Sequence, residues 1–363
     1  MARSGTAVSV RERPETFFTQ PRSRIDAELS TFVEGQVELF GVHPDLVRVY
    51  EVLRDFLLAG GKRIRPLLCY WGWRGSADAD VDDIFRAAAS LELFHAFALI
   101  HDDIMDGTEQ RRGRPAAHRA LQQVSSTSNG GRRADTGVHL AILGGDLCFA
   151  WSDLLLDTCG FEPERIRSVR PLLHRMRMEV VVGQHLDLFG QGRACSVGSA
   201  MEIVRYKTAH YTIERPLQIG AVLANAAEHV VRGYTNFGIW LGEAFQLKDD
   251  LLGAFGDPAV TGKPNLDDFR EGKSTVLVAL TRQRASKADR RELEALYGKS
   301  DLDCDAACVI REVMDRSGAR DEVEQMITER ASRALSTLDH MAINADARDA
   351  LQELTSVTID RGA

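Results

Sequence analysis

Two clusters of aspartates carry the chemistry this chain could do. Asp102, Asp103 and Asp106 close the run Leu99-Ile100-His101-Asp102-Asp103-Ile104-Met105-Asp106, at the end of an apolar helical stretch from Ala87 to Ile100. Asp102 and Asp106 are four apart and share a helix face, with Asp103 beside them. Acids crowded at the end of an apolar helix repel one another and lose hydration, and a bound cation relieves both. Oxygen-only ligands point to magnesium or manganese rather than zinc. One such motif is more often a solvated helix end, but a second copy follows far downstream. Asp249 and Asp250, in Phe245-Gln246-Leu247-Lys248-Asp249-Asp250, again end an apolar helical run, from Ile239 to Leu247. Two acidic faces aimed across one cavity make a cage for divalent cations, and such a cage takes substrate phosphates.

The elements that must hold these faces are helices. Periodicity begins near Ile25 (Ile25, Leu29, Phe32, Val37, Leu39) and resumes after His43-Pro44-Asp45 with Leu46, Val47, Val49 and Leu53. Gly60 and Gly61 end that helix, and the stretch from Ile84 to Ile100 carries the first motif. Further helices are predicted over about 138–159, 162–190, 197–211, 216–227, 230–255, 273–285 and onward to 360. No alternating strand pattern with hairpin turns recurs. Residues 1 to 22 are polar and punctuated by proline, which predicts disorder, and 124–137 read as a surface loop insertion. The expectation is an all-α protein: one domain over 23–363, a bundle of ten or more helices around a central cavity.

Basic residues interleave with the acids. Lys62 and Arg65 are three apart at a helix start and can converge on one phosphate, helped by the helix dipole. The pair Lys207-Thr208 lies within a helix, where a hydroxyl bonded back to a preceding carbonyl distorts the backbone. Gly256-Asp257-Pro258-Ala259-Val260-Thr261-Gly262-Lys263-Pro264 is a Gly/Pro-rich loop that leads to Lys273. Its composition suits a lid that closes lysines over phosphates and excludes water.

In their order, these motifs resemble the trans-isoprenyl diphosphate synthases, or polyprenyl synthetases, over roughly residues 25 to 360. The resemblance rests on Gly60-Gly61-Lys62-Arg63-Ile64-Arg65-Pro66, His101 to Asp106 with Arg111-Arg112-Gly113, Gly183-Gln184-His185-Leu186-Asp187, Lys207-Thr208-Ala209, and Phe245 through Lys273. It implies that Lys62, Arg65, His95 and Arg112 hold isopentenyl diphosphate. Arg111, Lys207, Lys263 and Lys273 would face an allylic diphosphate. Asp102, Asp103, Asp106, Asp249 and Asp250 would bind three magnesium ions, with manganese able to substitute. Lys207, Thr208, Gln246 and Gln184 would steady a carbocation by electrostatic preorganisation. The reaction implied is head-to-tail condensation, in which the released diphosphate removes the proton and no Cys or Ser nucleophile is needed. Phe97 and Ala98, about one turn before Asp102, and Phe94, about two turns before, would set chain length. One aromatic with a small neighbour resembles members making geranylgeranyl diphosphate; farnesyl or longer products are the alternative. One departure stands out: many members carry a third aspartate where this chain has Gly253.

Two rivals are weighed. A class I terpene cyclase usually pairs one aspartate-rich motif with an Asn/Ser/Glu motif, and Asp249-Asp250 with Lys62 and Arg65 speak against it. A non-catalytic synthase subunit often loses acidic ligands, and here only position 253 departs. Composition narrows the rest: 363 residues, 44% hydrophobic and 27% charged, suit a globular protein with a sizeable core. A net charge of -8 argues against nucleic-acid binding. The six cysteines form no framework, and Cys304 and Cys308 have no partner motif for zinc. A reduced, cytoplasmic protein without a membrane span is expected, and the resemblance implies a homodimer.

Overall fold

The computed structural model describes residues 15–41, 43–126, 135–256 and 266–360. Helices account for nearly all of it: α1 (Glu15–Phe40), α2 (Pro44–Leu58), α3 (Ile64–Arg74), α4 (Asp82–Met105), α5 (Ala117–Ser126), α6 (Thr136–Asp157) and α7 (Pro163–Gly190). Next come α8 (Val197–Val204), a π-helical segment (Arg205–Glu214), α9 (Arg215–Leu223) and α10 (Glu228–Phe255). Six shorter or peripheral helices follow: α11 (Asp267–Glu271), α12 (Val276–Arg284), α13 (Lys287–Leu296), α14 (Cys304–Arg316), α15 (Ala319–Asp339) and α16 (Ala345–Asp360). The all-α expectation holds. The one sheet among the described residues is a hairpin, β1 (Gln110–Arg111) against β2 (Arg114–Pro115). Its turn residues Arg112 (φ 53°) and Gly113 (φ 72°) are both left-handed, as a tight two-residue hairpin turn requires.

The core has two centres. The larger joins α1–α7 with the π segment, α9, the first part of α10, the end of α15 and α16; the smaller gathers α8, the end of α10, α11–α14 and the start of α15. α4 runs through the larger one, lying along α6 and against α1 and α3, which explains why Ala87 to Ile100 is apolar on nearly every side. The π segment is wedged between α7 and α10. Glycines make that approach possible. A Cβ on Gly183 of α7 would fall 2.6 Å from the Lys207 nitrogen, and one on Gly242 of α10 would fall 2.4 Å from Ala209 Cα.

Three expectations change at the edges. α1 begins at Glu15, so residues 15–22 are helical rather than disordered; residues 1–14 lie outside the described residues. The cause is tertiary: Phe17 packs edge-on against Trp71 with ring centres 5.9 Å apart, which composition could not show. The insertion expected over 124–137 has helical edges, because 124–126 end α5 and 136–137 begin α6. The Gly137 N–H donates to Gln122 Oε1 at 2.6 Å and ties those edges together, while 127–134 lie outside the described residues. The single helix expected over 197–211 is α8 followed by the π segment. Among the described residues two helices, α4 and α6, are long and apolar enough to cross a membrane; α4 is mostly enclosed by the bundle and α6 is partly covered.

Candidate active site

Lys207 is the centre of the site. Its Nζ lies 2.6 Å from Asp187 on α7 and 3.3 Å from Asp102 at the end of α4. Burial pushes the Asp102 carboxyl up, but Lys207, Lys273 and Arg111 outweigh burial and hold it below the ordinary range. Asp106 caps α4 four residues on. Burial first, then the Asp102 charge, push its carboxyl up to about 7. Asp103 has a partner of its own. It is fully buried, and Arg111 Nε stands 2.8 and 2.7 Å from its two oxygens with Nη2 at 2.5 Å. One residue past Asp102, it is turned about 100° around the helix, away from the Asp102–Asp106 face. Asp103 and Arg111 neutralise each other, and the pair pins the hairpin to α4.

The second motif reaches the first through two routes. Thr208 Oγ1 donates to Gln246 Oε1 at 2.5 Å, and Gln246 Nε2 donates to Asp250 Oδ1 at 2.8 Å. The sequence predicts a Thr208 hydroxyl bonded back to its own helix; it bonds across to α10 instead. The predicted distortion is present as the π segment, a form frequent at functional sites. Lys273 supplies the other route. It pairs with Asp268 at 2.8 Å and Glu271 at 2.9 Å, and its charge acts on Asp102, Asp106 and Asp250 alike. Asp250 is pushed up to about 8, by burial first and then by Asp249 and Asp268 against the Gln246 hydrogen bond. Asp249, on the same turn, is exposed. Gly253 lacks a carboxylate, yet a Cβ there would lie 2.4 Å from Asp268 Oδ2. Lys263 lies outside the described residues, as do 257–265 of the expected lid. Gln184 sets its Nε2 3.8 Å from Met105 Sδ, beside the first motif and not at Thr208.

A cavity of about 450 Å³ opens next to the acids, lined by Lys62, Arg63, Arg65, His95 and Arg112, with Arg22 and Glu92 at its walls. Arg63 is the buried anchor. At φ 50° it precedes α3 and points inward to Asp26 (2.7 Å), Glu92 (2.6 Å) and the Leu57 carbonyl (2.9 Å). That inversion leaves Lys62 and Arg65 on the cavity side. Arg65 lies over the Tyr211 ring at 4.1 Å and donates to Thr212 Oγ1 at 2.7 Å. His95 Nδ1 meets the Tyr211 hydroxyl at 3.1 Å. Burial, then the neighbouring guanidinium groups, hold its pKa well below the usual imidazole value, so His95 is a neutral hydrogen-bonding group here. Arg112 donates to the Gly60 carbonyl at the rim.

Residues 47–314 match the family model described as polyprenyl synthetase. The chain belongs to that family. It is 33% identical to a geranylfarnesyl diphosphate synthase of Aeropyrum pernix over 90% of this chain and 97% of that protein. It is 32% identical to a geranylgeranyl pyrophosphate synthase of Geoglobus acetivorans, covering 93% and 99%. A crystal structure of geranylgeranyl pyrophosphate synthase from Corynebacterium glutamicum, complexed with isoprenyl diphosphate and magnesium, superposes with TM-score 0.90 at 37% identity, covering 96% of this chain and all (100%) of that one.

As a polyprenyl synthetase family member, the chain raises the question of whether its acids suit a metal. Among the described residues no three carboxylate, histidine or cysteine groups converge tightly enough to grip an ion unaided. The donor chemistry fits one all the same. The candidates are carboxylates only, and Asp106 and Asp250 hold protons near neutrality because their charges have no sufficient counter-ion. Residues that sequence reasoning left unassigned are Asp187, Tyr211, Thr212 and Arg22. Asp187 ended a quoted motif and was the one legible candidate; the other three depend on which helix faces meet.

Proposed function

We propose that this chain condenses isopentenyl diphosphate head-to-tail with allylic diphosphates and releases geranylgeranyl diphosphate as its main product. The observation that carries this reading is a cationic cavity and an acidic mouth side by side, both served by one π segment. Lys207 and Thr208 face the acids; Tyr211 and Thr212 hold His95 and Arg65 of the cavity. Asp102, Asp106, Asp249 and Asp250 would hold magnesium. Bound there, magnesium supplies the positive charge that lets the allylic diphosphate depart.

The protein's own groups do the rest. Lys207 and Lys273 take the allylic phosphates in exchange for their present carboxylate partners. Lys62, Arg65 and Arg112 hold the isopentenyl diphosphate, with His95 donating a neutral hydrogen bond. Gln246 Oε1 and the Thr208 hydroxyl set fixed dipoles where positive charge develops. The isopentenyl double bond then attacks the allylic carbon, and the departing diphosphate takes the proton that restores the alkene.

Phe97, five residues before Asp102 on α4, and the name of the Geoglobus relative favour the geranylgeranyl product. The Aeropyrum relative's name favours a second reading, geranylfarnesyl diphosphate. A homodimer is supported by an apolar face on α6 and α7, where Leu143 (64% exposed), Met178 (62%) and Phe189 (65%) stand open. A cytoplasmic location is supported by six unpaired cysteines.

Labelled isopentenyl diphosphate incubated with magnesium and each of dimethylallyl, geranyl and farnesyl diphosphate tests the reading. Chromatography is expected to show one dominant geranylgeranyl product from every primer. Release of a hydrocarbon from a primer alone, without isopentenyl incorporation, would make the chain a cyclase instead.

A further inference from the structure

Below the acids, three phenylalanine rings meet from two helices. Phe97 lies 5.4 Å from Phe94 on α4 and 5.2 Å from Phe149 on α6; Phe94 and Phe149 are 5.7 Å apart. Phe94 is fully buried, whereas Phe97, Ala98 and Phe149 keep partial exposure although they pack on the main core. Behind the rings stands a charge. The Arg177 guanidinium of α7 is 4.4 Å from the Phe149 ring centre and 5.3 Å from that of Phe94. Arg177 is only 7% exposed, its Nη1 lies 3.0 Å from Asp153, its Nη2 donates to Ser152 at 3.3 Å, and its Nε has no partner.

Counted along the two helices, this group lies below the acids. Arg177, Val180, Gln184 and Asp187 follow one face of α7 at helical spacing, and Asp187 is the residue that meets Lys207. Arg177 therefore sits about 15 Å down α7 from Asp187, and Phe94 about 12 Å down α4 from Asp102.

We infer that Arg177 is the end stop for the growing prenyl chain, a specificity-determining residue behind the aromatic floor. The inference rests on the reading that the allylic tail runs down α4 from Asp102. The rings are a soft floor, since a prenyl tail can replace one apolar surface with another. The guanidinium is a hard one. A tail advancing past the rings would strip their faces from a buried cation and leave hydrocarbon in their place, with no water to compensate. Ring size then tunes the product within a limit that the charge fixes.

The test compares product lengths made by Phe97→Ala/Phe149→Ala and by the same variant carrying Arg177→Met, Arg177→Gln or Arg177→Lys. Arg177→Met removes the charge at similar length, and Asp153 keeps Arg170 at 2.9 Å, so its partly exposed carboxylate retains a partner. Products longer than those of the double variant are expected to rise roughly tenfold with Met or Gln, and not with Lys. Gln, which can still bond Asp153, gives the answer if Met does not fold. An unchanged distribution with the uncharged residues, or equal lengthening with Lys, overturns the end stop. The wild type run alongside separates this from the functional reading, which fails only if no prenyl diphosphate forms at all.

Discussion

Asp102 opens the acidic pair of the first motif and Asp250 closes that of the second, and their surroundings differ in sign. Lys207, Lys273 and Arg111 hold Asp102 ionised, while Asp250 has burial and two neighbouring acids against it and stays protonated up to about 8. Asp102 is thus charged before any metal arrives. Asp250 becomes charged only as a cation replaces its proton. Near-identical spacing leaves this difference invisible, because it comes from what the other helices carry: Lys207 opposite the first motif, Asp268 opposite the second.

The largest effect should come from removing one acid of each face. Asp102→Ala and Asp249→Ala are each expected to lower turnover at least about a hundredfold, the scale of losing an electrostatic catalytic group. If the faces form one metal site, the double variant loses far less than the product of the two. Full multiplication of the losses in steady-state kinetics would break the comparison into two independent sites.

Next in size is the Asp103–Arg111 pair. Asp103→Asn leaves the Arg111 guanidinium, 17% exposed as a side chain, without its carboxylate. A loss of about 2 kcal/mol of stability is expected, smaller than for a fully enclosed pair because water reaches Arg111. Denaturant midpoints measure it. A variant as stable as the wild type but unable to bind magnesium would place Asp103 in the metal site.

A pH experiment sharpens the contrast further. Asp106 and Asp250 have raised pKa values in the folded protein, about 7 and about 8. The folded state therefore holds more protons than the unfolded one between the ordinary carboxyl range and those values, so metal-free stability falls as pH rises through that window. Magnesium takes the place of the protons. Its stabilisation, read as a shift in Tm, is expected to be a few degrees larger near pH 8 than near pH 6. Equal shifts at both values would mean that other groups bind the ion.

Sequence showed the ends of this arrangement more clearly than its middle. Asp102, Asp106, Asp249 and Lys207 were legible because metal and phosphate chemistry restricts residue type and spacing. The distortion at Lys207-Thr208 was legible as well, though its hydrogen bond was not, since Gln246 is thirty-eight positions away. Asp103 looked like its neighbour until Arg111 was seen to fold back on it through a two-residue turn. Arg63 sits between two cavity cations in sequence, and its left-handed backbone turns it inward to Glu92. Each miss is a question of direction around a helix or a turn, which neighbouring elements decide.

The smallest predicted effect concerns Gly253, where the two faces differ most plainly in sequence. Its missing side chain is not empty space, because Asp268 Oδ2 would stand 2.4 Å from a Cβ there. Asp268 in turn holds Lys273 at 2.8 Å, and Lys273 is the charge that reaches both motifs. In Gly253→Ala the carboxylate must swing aside, which costs little since it ends a flexible side chain. Turnover is expected to fall only about threefold, with the magnesium concentration for half activity rising by a similar factor. Gly253→Asp supplies the aspartate that the family resemblance leads one to expect there, but it sets a second carboxylate where Asp268 already lies, and like charges at that separation raise each other's pKa. Its magnesium requirement should therefore rise further than that of the alanine variant and fall back as pH increases. If Gly253→Asp instead lowers the requirement at neutral pH, the carboxylate of Asp268 is not filling the role of the absent aspartate, and the second face is short of a ligand.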